Sequence, residues 1–181
     1  MKKLSSMIVR LPVIGRLALV RDKGGEASGF PGGLAFHSNL SATLIRGGKV
    51  ITKKDFGSGV VTTAGVNFLA TDFVDGTTDI TLFDFHHSGL GTVAAVIGDT
   101  DLGNVTGVPA RVSGTASSPA AGQYRTVATV AYVSTLAITE WGLFSASTGG
   151  TMWDRKVFTA INVVSGDSIQ FTYTLTVTAG G

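Results

Sequence analysis

The clearest pattern in the chain lies near its end. From Ile169 to Val177, the residues Ile169, Phe171, Tyr173, Leu175 and Val177 fall on one face, and Gln170, Thr172, Thr174 and Thr176 on the other. This period-two alternation predicts a strand buried on one side only. Two further β-rich runs, residues 124–132 and 136–144, precede it. The intervening Ser147-Thr148-Gly149-Gly150 and Ser165-Gly166-Asp167 have turn compositions. Upstream, residues 80–86 predict another strand, with a break at Gly89-Leu90-Gly91. Residues 97–122, rich in Gly, Asp, Pro and Ser, predict a long loop or two short edge strands. The one helical signal is residues 61–70, where Thr62 or Thr63 can cap a short helix with Val66, Leu69 and Ala70 on one face. Strands joined by short turns predict a mainly β chain: an antiparallel β-sandwich or barrel-like domain with one short helix.

The first third reads differently. Residues 34–61 hold short apolar pieces separated by Gly47-Gly48 and Gly57-Ser58-Gly59, and residues 24–33 are linker-like, with five glycines. The expected division is a basic, apolar N-terminal arm and linker over residues 1–59 and a β domain over residues 60–181. In the arm, Arg10, Leu11, Val13, Ile14, Arg16, Leu17 and Leu19 are the candidate contact residues. With Val9 and Val20 they carry more aliphatic surface than a lone extended segment can bury on itself. A neighbouring subunit is the expected cover.

Charge sharpens this division. Residues 1–56 hold ten of the 14 Lys and Arg and three acids, a net +7, whereas residues 57–181 are net −5. A basic segment this apolar points to a protein surface rather than to nucleic acid, for which no recognition signature is present. Arg10, Pro12 and Arg16 interrupt the first apolar run, so it lacks the unbroken core of a secretory signal. No stretch approaches the roughly 18 apolar residues of a membrane span. Neither nucleic acid nor membrane is an expected partner. Across the chain, 44% of residues are hydrophobic and 14% charged, with mean hydropathy +0.34. Ordinary soluble domains carry about 25% charge, so surface hidden against neighbours is expected. The absence of Cys excludes a disulfide scaffold.

Several pieces together resemble a known group. They are Ile138-Thr139-Glu140-Trp141-Gly142-Leu143-Phe144, Gly149-Gly150-Thr151-Met152-Trp153-Asp154-Arg155, Phe158, Gly166-Asp167-Ser168-Ile169 and Tyr173-Thr174-Leu175-Thr176. The upstream run from Val61 to Leu69 belongs with them. Over residues 60–181 this set resembles the β domains of tailed-bacteriophage virion structural proteins, of the capsid decoration or cement type or tail-associated. The resemblance implies a non-enzymatic virion protein, assembled in the host cytoplasm. It would pack with itself, as a homotrimer, and with the major capsid protein or other virion proteins. A tail or neck component for fibre attachment or the baseplate is the alternative, and a glycan-binding adhesin using loops near 97–122 the third reading. Glu140, Trp141, Gly142, Phe144, Arg155, Phe158 and Tyr173 form the structural motif. Gly142 suits a bulge or a close backbone approach inside a strand. Glu140, if buried, needs Arg155 or Arg125 as partner; otherwise it lies on the solvent face.

Candidate chemistry is sparse, and no catalytic residue, cofactor or metal is expected. His86-His87-Ser88 follows Asp84, but neighbouring strand residues point to opposite faces and no nucleophile elbow accompanies them. Asp84 and His86 share a face, yet two ligands make a poor zinc site, and His37 is the only other histidine. Asp72, Asp75, Asp79, Asp99 and Asp101 lack calcium-loop spacing and read as turn formers. The phosphate-loop spacing is absent. Tyr124, Tyr132, Trp141, Trp153 and Tyr173 could make a sugar platform but suit a core better.

Overall fold

The computed structural model describes residues 34–75 and 78–179. Two five-stranded sheets, with antiparallel pairing throughout, make a β-sandwich. The strands are β1 (Leu34–Arg46), β2 (Lys49–Gly57), β3 (Val60–Val61), β4 (Phe85–Gly89), β5 (Val112–Ser113), β6 (Thr115–Ser117), β7 (Gln123–Ala131), β8 (Leu136–Phe144), β9 (Met152–Val163) and β10 (Ser168–Ala179). The first sheet runs β2-β1-β10-β7-β6, the second β3-β9-β8-β4-β5. A single α-helix, α1 (Thr63–Asp75), and a 310 turn (Ile80–Leu82) lie between β3 and β4.

The alternation in β10 does what its pattern predicts. Ile169, Phe171, Tyr173 and Leu175 are buried and meet Ile138, Trp141 and Leu143 of β8 and Trp153, Ile161 and Val163 of β9 in one core cluster. The Trp141 ring stacks on Tyr173 with centroids 5.3 Å apart. Trp153 donates its indole N–H to the Tyr173 hydroxyl at 2.8 Å, and that hydroxyl lies 3.1 Å from Asp154 Oδ2.

Three expectations are corrected. First, the boundary at residue 60 falls too late, because residues 34–57 form β1 and β2. β1 is central in its sheet, between β2 and β10, and buries Ser38, Leu40, Ala42 and Leu44 at alternate positions. Second, residues 80–86 are not one strand. Asp79 caps the 310 turn by accepting the Thr81 backbone N–H at 2.8 Å, and β4 starts only at Phe85. Third, Thr62 caps α1 by accepting the Gly65 N–H at 2.9 Å and Leu69 packs against the core as expected, but Val66 and Ala70 are exposed. Gly65 is buried while Val66 is 40% exposed. A Cβ at Gly65 would stand 3.0 Å from both Trp153 Cα and its indole ring, so a glycine lets the helix approach that ring. Residues 97–122 do contain two short edge strands, β5 and β6.

Asp154 is fully buried. Burial pushes its carboxyl up to about 6, against smaller downward pulls from Ser38, Tyr173 and Lys156. The folded state thus holds this proton more tightly than the unfolded chain, and that difference removes stability as pH rises from about 4 to about 6. Replacing Asp154→Asn is expected to abolish this contribution. The variant's melting temperature should gain on the parent's as pH rises across that window, and parallel curves in calorimetry would refute the assignment.

Candidate interaction surface

One carboxylate organises the outer face of the second sheet. The β8–β9 register shifts between Ile138 and Glu140 and again between Leu143 and Phe144. Ile138, Trp141 and Leu143 enter the central core. Glu140, Gly142 and Phe144 face the other way, under the segment that joins β4 to β5. There Leu102, Phe144 and Met152 make a second small core against Phe85. A Cβ on Gly142 would come within 3.0 Å of Leu102 Cδ2 and Phe144 Cε2, so the glycine makes room for side chains rather than for a bulge or a second backbone. The Arg111 guanidinium sits 3.4 Å from the centre of the Phe144 ring, a cation–π contact.

Glu140 is fully buried and paired with Arg155, which is itself only 3% exposed. Arg155 donates from Nε at 3.0 Å and Nη2 at 2.6 Å to Glu140 Oε2. The carboxylate also accepts backbone N–H groups from Gly91 at 2.7 Å, Gly103 at 3.0 Å and Asn104 at 2.9 Å. Burial alone would push its pKa up, but these three N–H donors and Arg155 outweigh burial and hold it down. The solvent-face reading of Glu140 is therefore excluded. Arg125, the other expected partner, instead donates to Thr174 Oγ1 at 3.2 Å.

Arg155 reaches on into the loop. Its Nη1 donates to Asp99 at 2.8 Å and its Nη2 to the Val93 carbonyl at 3.2 Å. Asp99 accepts the Val96 N–H at 2.9 Å, and the Thr63 N–H at the start of α1 donates to the Ile97 carbonyl at 2.8 Å. Residues 91–104 are thus fastened at both ends and in the middle. Held this way, Val93 is 77%, Val96 57% and Ile97 66% exposed. A rigid loop that presents three aliphatic side chains to water is a candidate interaction surface. Beside it a cleft of about 300 Å³ runs between Thr92, Ala94 and Ala95 and the stretch from Ser58 to Val60.

The other candidates sit elsewhere. His86 is fully buried. Trp141 donates its indole N–H to His86 Nδ1 at 3.1 Å, leaving Nε2 to donate to Thr126 Oγ1 at 3.2 Å. Burial pushes the imidazole down to about 3. Ser88 is engaged by the Tyr132 hydroxyl and Asp84 by Ser113, so the structure does not bring Asp84, His86 and Ser88 together. His37 is exposed on β1. Among the described residues no three metal-ligating side chains cluster. Asp75, Asp79, Asp99 and Asp101 accept backbone N–H groups of nearby residues, as turn formers do. Tyr132, Trp141, Trp153 and Tyr173 are core residues. Phe158 is partly buried and stacks on Phe56 at 4.2 Å. The arm residues Arg10, Leu11, Val13, Ile14, Arg16, Leu17 and Leu19 lie outside the described residues. Compared with protein families, curated proteins and solved structures, the chain finds no match.

Arg155 was one of two partners the sequence offered for a buried Glu140, and nothing in that reading reached the loop the pair holds. The available signal was Gly89, Gly91 and Gly103: a Cβ at the first two would lie 2.6 and 2.4 Å from Glu140 Oε1, and one at the third 3.2 Å from Arg155 Nη2.

Glu140→Gln is expected to destabilise the domain by about 1.5–3 kcal/mol, the worth of hydrogen bonds to a charged group, since the loop amides lose their charged acceptor while Arg155 keeps Asp99. The Gly91, Gly103 and Asn104 amides should lose hydrogen-exchange protection ahead of β10. In the parent, the depressed pKa of Glu140 gives stability that is full above the unfolded carboxylate's pKa and is lost as pH falls through the folded one. A loss below about 1 kcal/mol, an ordinary single hydrogen bond, would show that the pair does not fasten the loop.

Proposed function

We propose that this chain is a non-enzymatic structural subunit of a tailed-bacteriophage virion, of the capsid decoration or cement type. In this reading it stabilises the shell by packing against copies of itself, as a homotrimer, and against other virion proteins. The observation that carries the proposal is the loop at residues 91–104. A buried ion pair and three charge-assisted backbone hydrogen bonds hold Val93, Val96 and Ile97 in water. Such an arrangement suits a surface meant to be covered on association. The low charge content and the basic, apolar residues 1–33 support the same reading, as does the resemblance of the 138–155 and 166–176 motifs to virion β domains. The sandwich is a scaffold and the contacts belong to its loop and arm.

The test is quantitative mass spectrometry of particles purified from the strain that encodes the chain. A copy ratio to the major shell protein near unity or a simple fraction is expected. A handful of copies per particle would assign the chain to the tail or neck instead, and its absence from particles would sink the structural reading. The double variant Val96→Asp, Ile97→Asp is expected to fold like the parent yet lose self-association and particle binding at least tenfold, the equivalent of about 1.4 kcal/mol. Undiminished binding would remove the loop from the interface.

A further inference from the structure

A second apolar feature lies at the opposite hand of the core. Under α1 and the 310 turn, a pocket of about 230 Å³ opens between the sheets. Phe83, Leu143, Trp153, Tyr173 and Leu175 are its buried members. Phe36, 43% exposed, and its partner across the β1–β10 ladder, Val177, lie at its open side. An apolar cavity of about 150 Å³ accepts a benzene ring, so this one has room for about two aliphatic side chains.

Two observations bear on what fills it. The first is where the described chain begins. Leu34 is two residues before Phe36, and Leu34 is itself 64% exposed. The rest of the sequence therefore joins the domain beside the pocket's open side. It includes the Gly-rich stretch 24–33 and, before that, Val13-Ile14-Gly15-Arg16-Leu17-Ala18-Leu19-Val20. From Val20 to Leu34 an extended chain reaches roughly 45 Å, ample to fold back onto the same domain. The second is charge. Residues 57–110 contain no Lys or Arg and six Asp. Three of those flank pocket residues: Asp72 follows Leu69 by one helical turn, Asp79 precedes Ile80, and Asp84 follows Phe83. The incoming segment is of opposite sign, with Arg10, Arg16, Arg21 and Lys23 against Asp22.

We propose that residues 13–20 of this chain dock onto their own domain. Aliphatic side chains from this segment fill the pocket between the sheets, and Arg16 faces the aspartates along α1 and the 310 turn. Tethering through so short a stretch of chain gives an effective concentration in the millimolar range, so a contact of two or three side chains suffices. Residues 1–11 stay outside the pocket, available to a neighbour. The inference concerns the isolated subunit and holds whether or not the virion reading does.

The lack of Cys in the chain makes the test clean. In the full-length protein, Leu17→Cys is combined with Thr81→Cys, a pocket residue that is solvent-exposed, and mild oxidation follows. An intramolecular disulfide, seen as a faster-migrating monomer that reverts on reduction, is the expected product. Disulfide-linked dimers in its place would make a second copy the occupant and overturn the proposal. So would failure of Ile14→Cys, Leu17→Cys and Leu19→Cys all to link to Thr81→Cys. Independently, the full-length double variant Ile14→Glu, Leu17→Glu should bind the dye anilinonaphthalene sulfonate several-fold more strongly than the parent. Equal dye binding would show that the pocket is not filled by this segment.

Discussion

The structure depends on Glu140 being charged, buried and fully partnered. Moving a carboxylate out of water is costly unless every lone pair finds a donor. Here two donors come from Arg155 and three from the backbone of a segment remote in sequence. Removing Arg155 would leave the carboxylate buried with no counter-charge, and removing Glu140 would leave three backbone N–H groups without their acceptor. The loop, the ion pair and the β8–β9 register therefore form one unit. The glycines at 89, 91 and 103 are part of that unit, because their missing side chains let the loop backbone come within hydrogen-bonding distance of the carboxylate.

This unit also explains why β8 is buried on both faces, although its sheet is antiparallel. Such a sheet commonly leaves one face to water. In β8 the register shift at Thr139 sends Trp141 and Leu143 inward and turns Glu140, Gly142 and Phe144 outward. The loop then covers the outward set, with Arg111 resting on Phe144. Strands and loop together produce a sandwich with a third, partial layer. The apolar residues that this layer places in solvent lie outermost of all.

How much of this was legible in the sequence differs from element to element. β10 was legible because one of its faces is buried against Trp141 and Trp153, so selection for burial writes itself as alternation. β1 was not, although it sits at the centre of its sheet. Its inward positions are Ser38, Leu40, Ala42 and Leu44, two of them too small to stand out, and a basic neighbourhood disguised the rest. The helix was legible from Thr62 and its packed face only from Leu69, since its one buried position is Gly65, a residue with no side chain to give a signal. The Glu140–Arg155 pair was legible only as one of three alternatives, beside Arg125 as partner and a solvent-facing Glu140. Its purpose was not, because the three amides it binds come from positions 36 to 49 residues distant and an amide leaves no mark on residue type.

The outermost strands have a consequence for how such a protein behaves when it is abundant. β3 and β5 are two residues long and β6 three, while the longer outer strand, β2, carries Lys49, Lys53 and Lys54. An edge strand this short or this cationic offers little template for another chain's backbone. Any association at β2, β3, β5 or β6 must therefore be read from side chains, where it can be specific and finite.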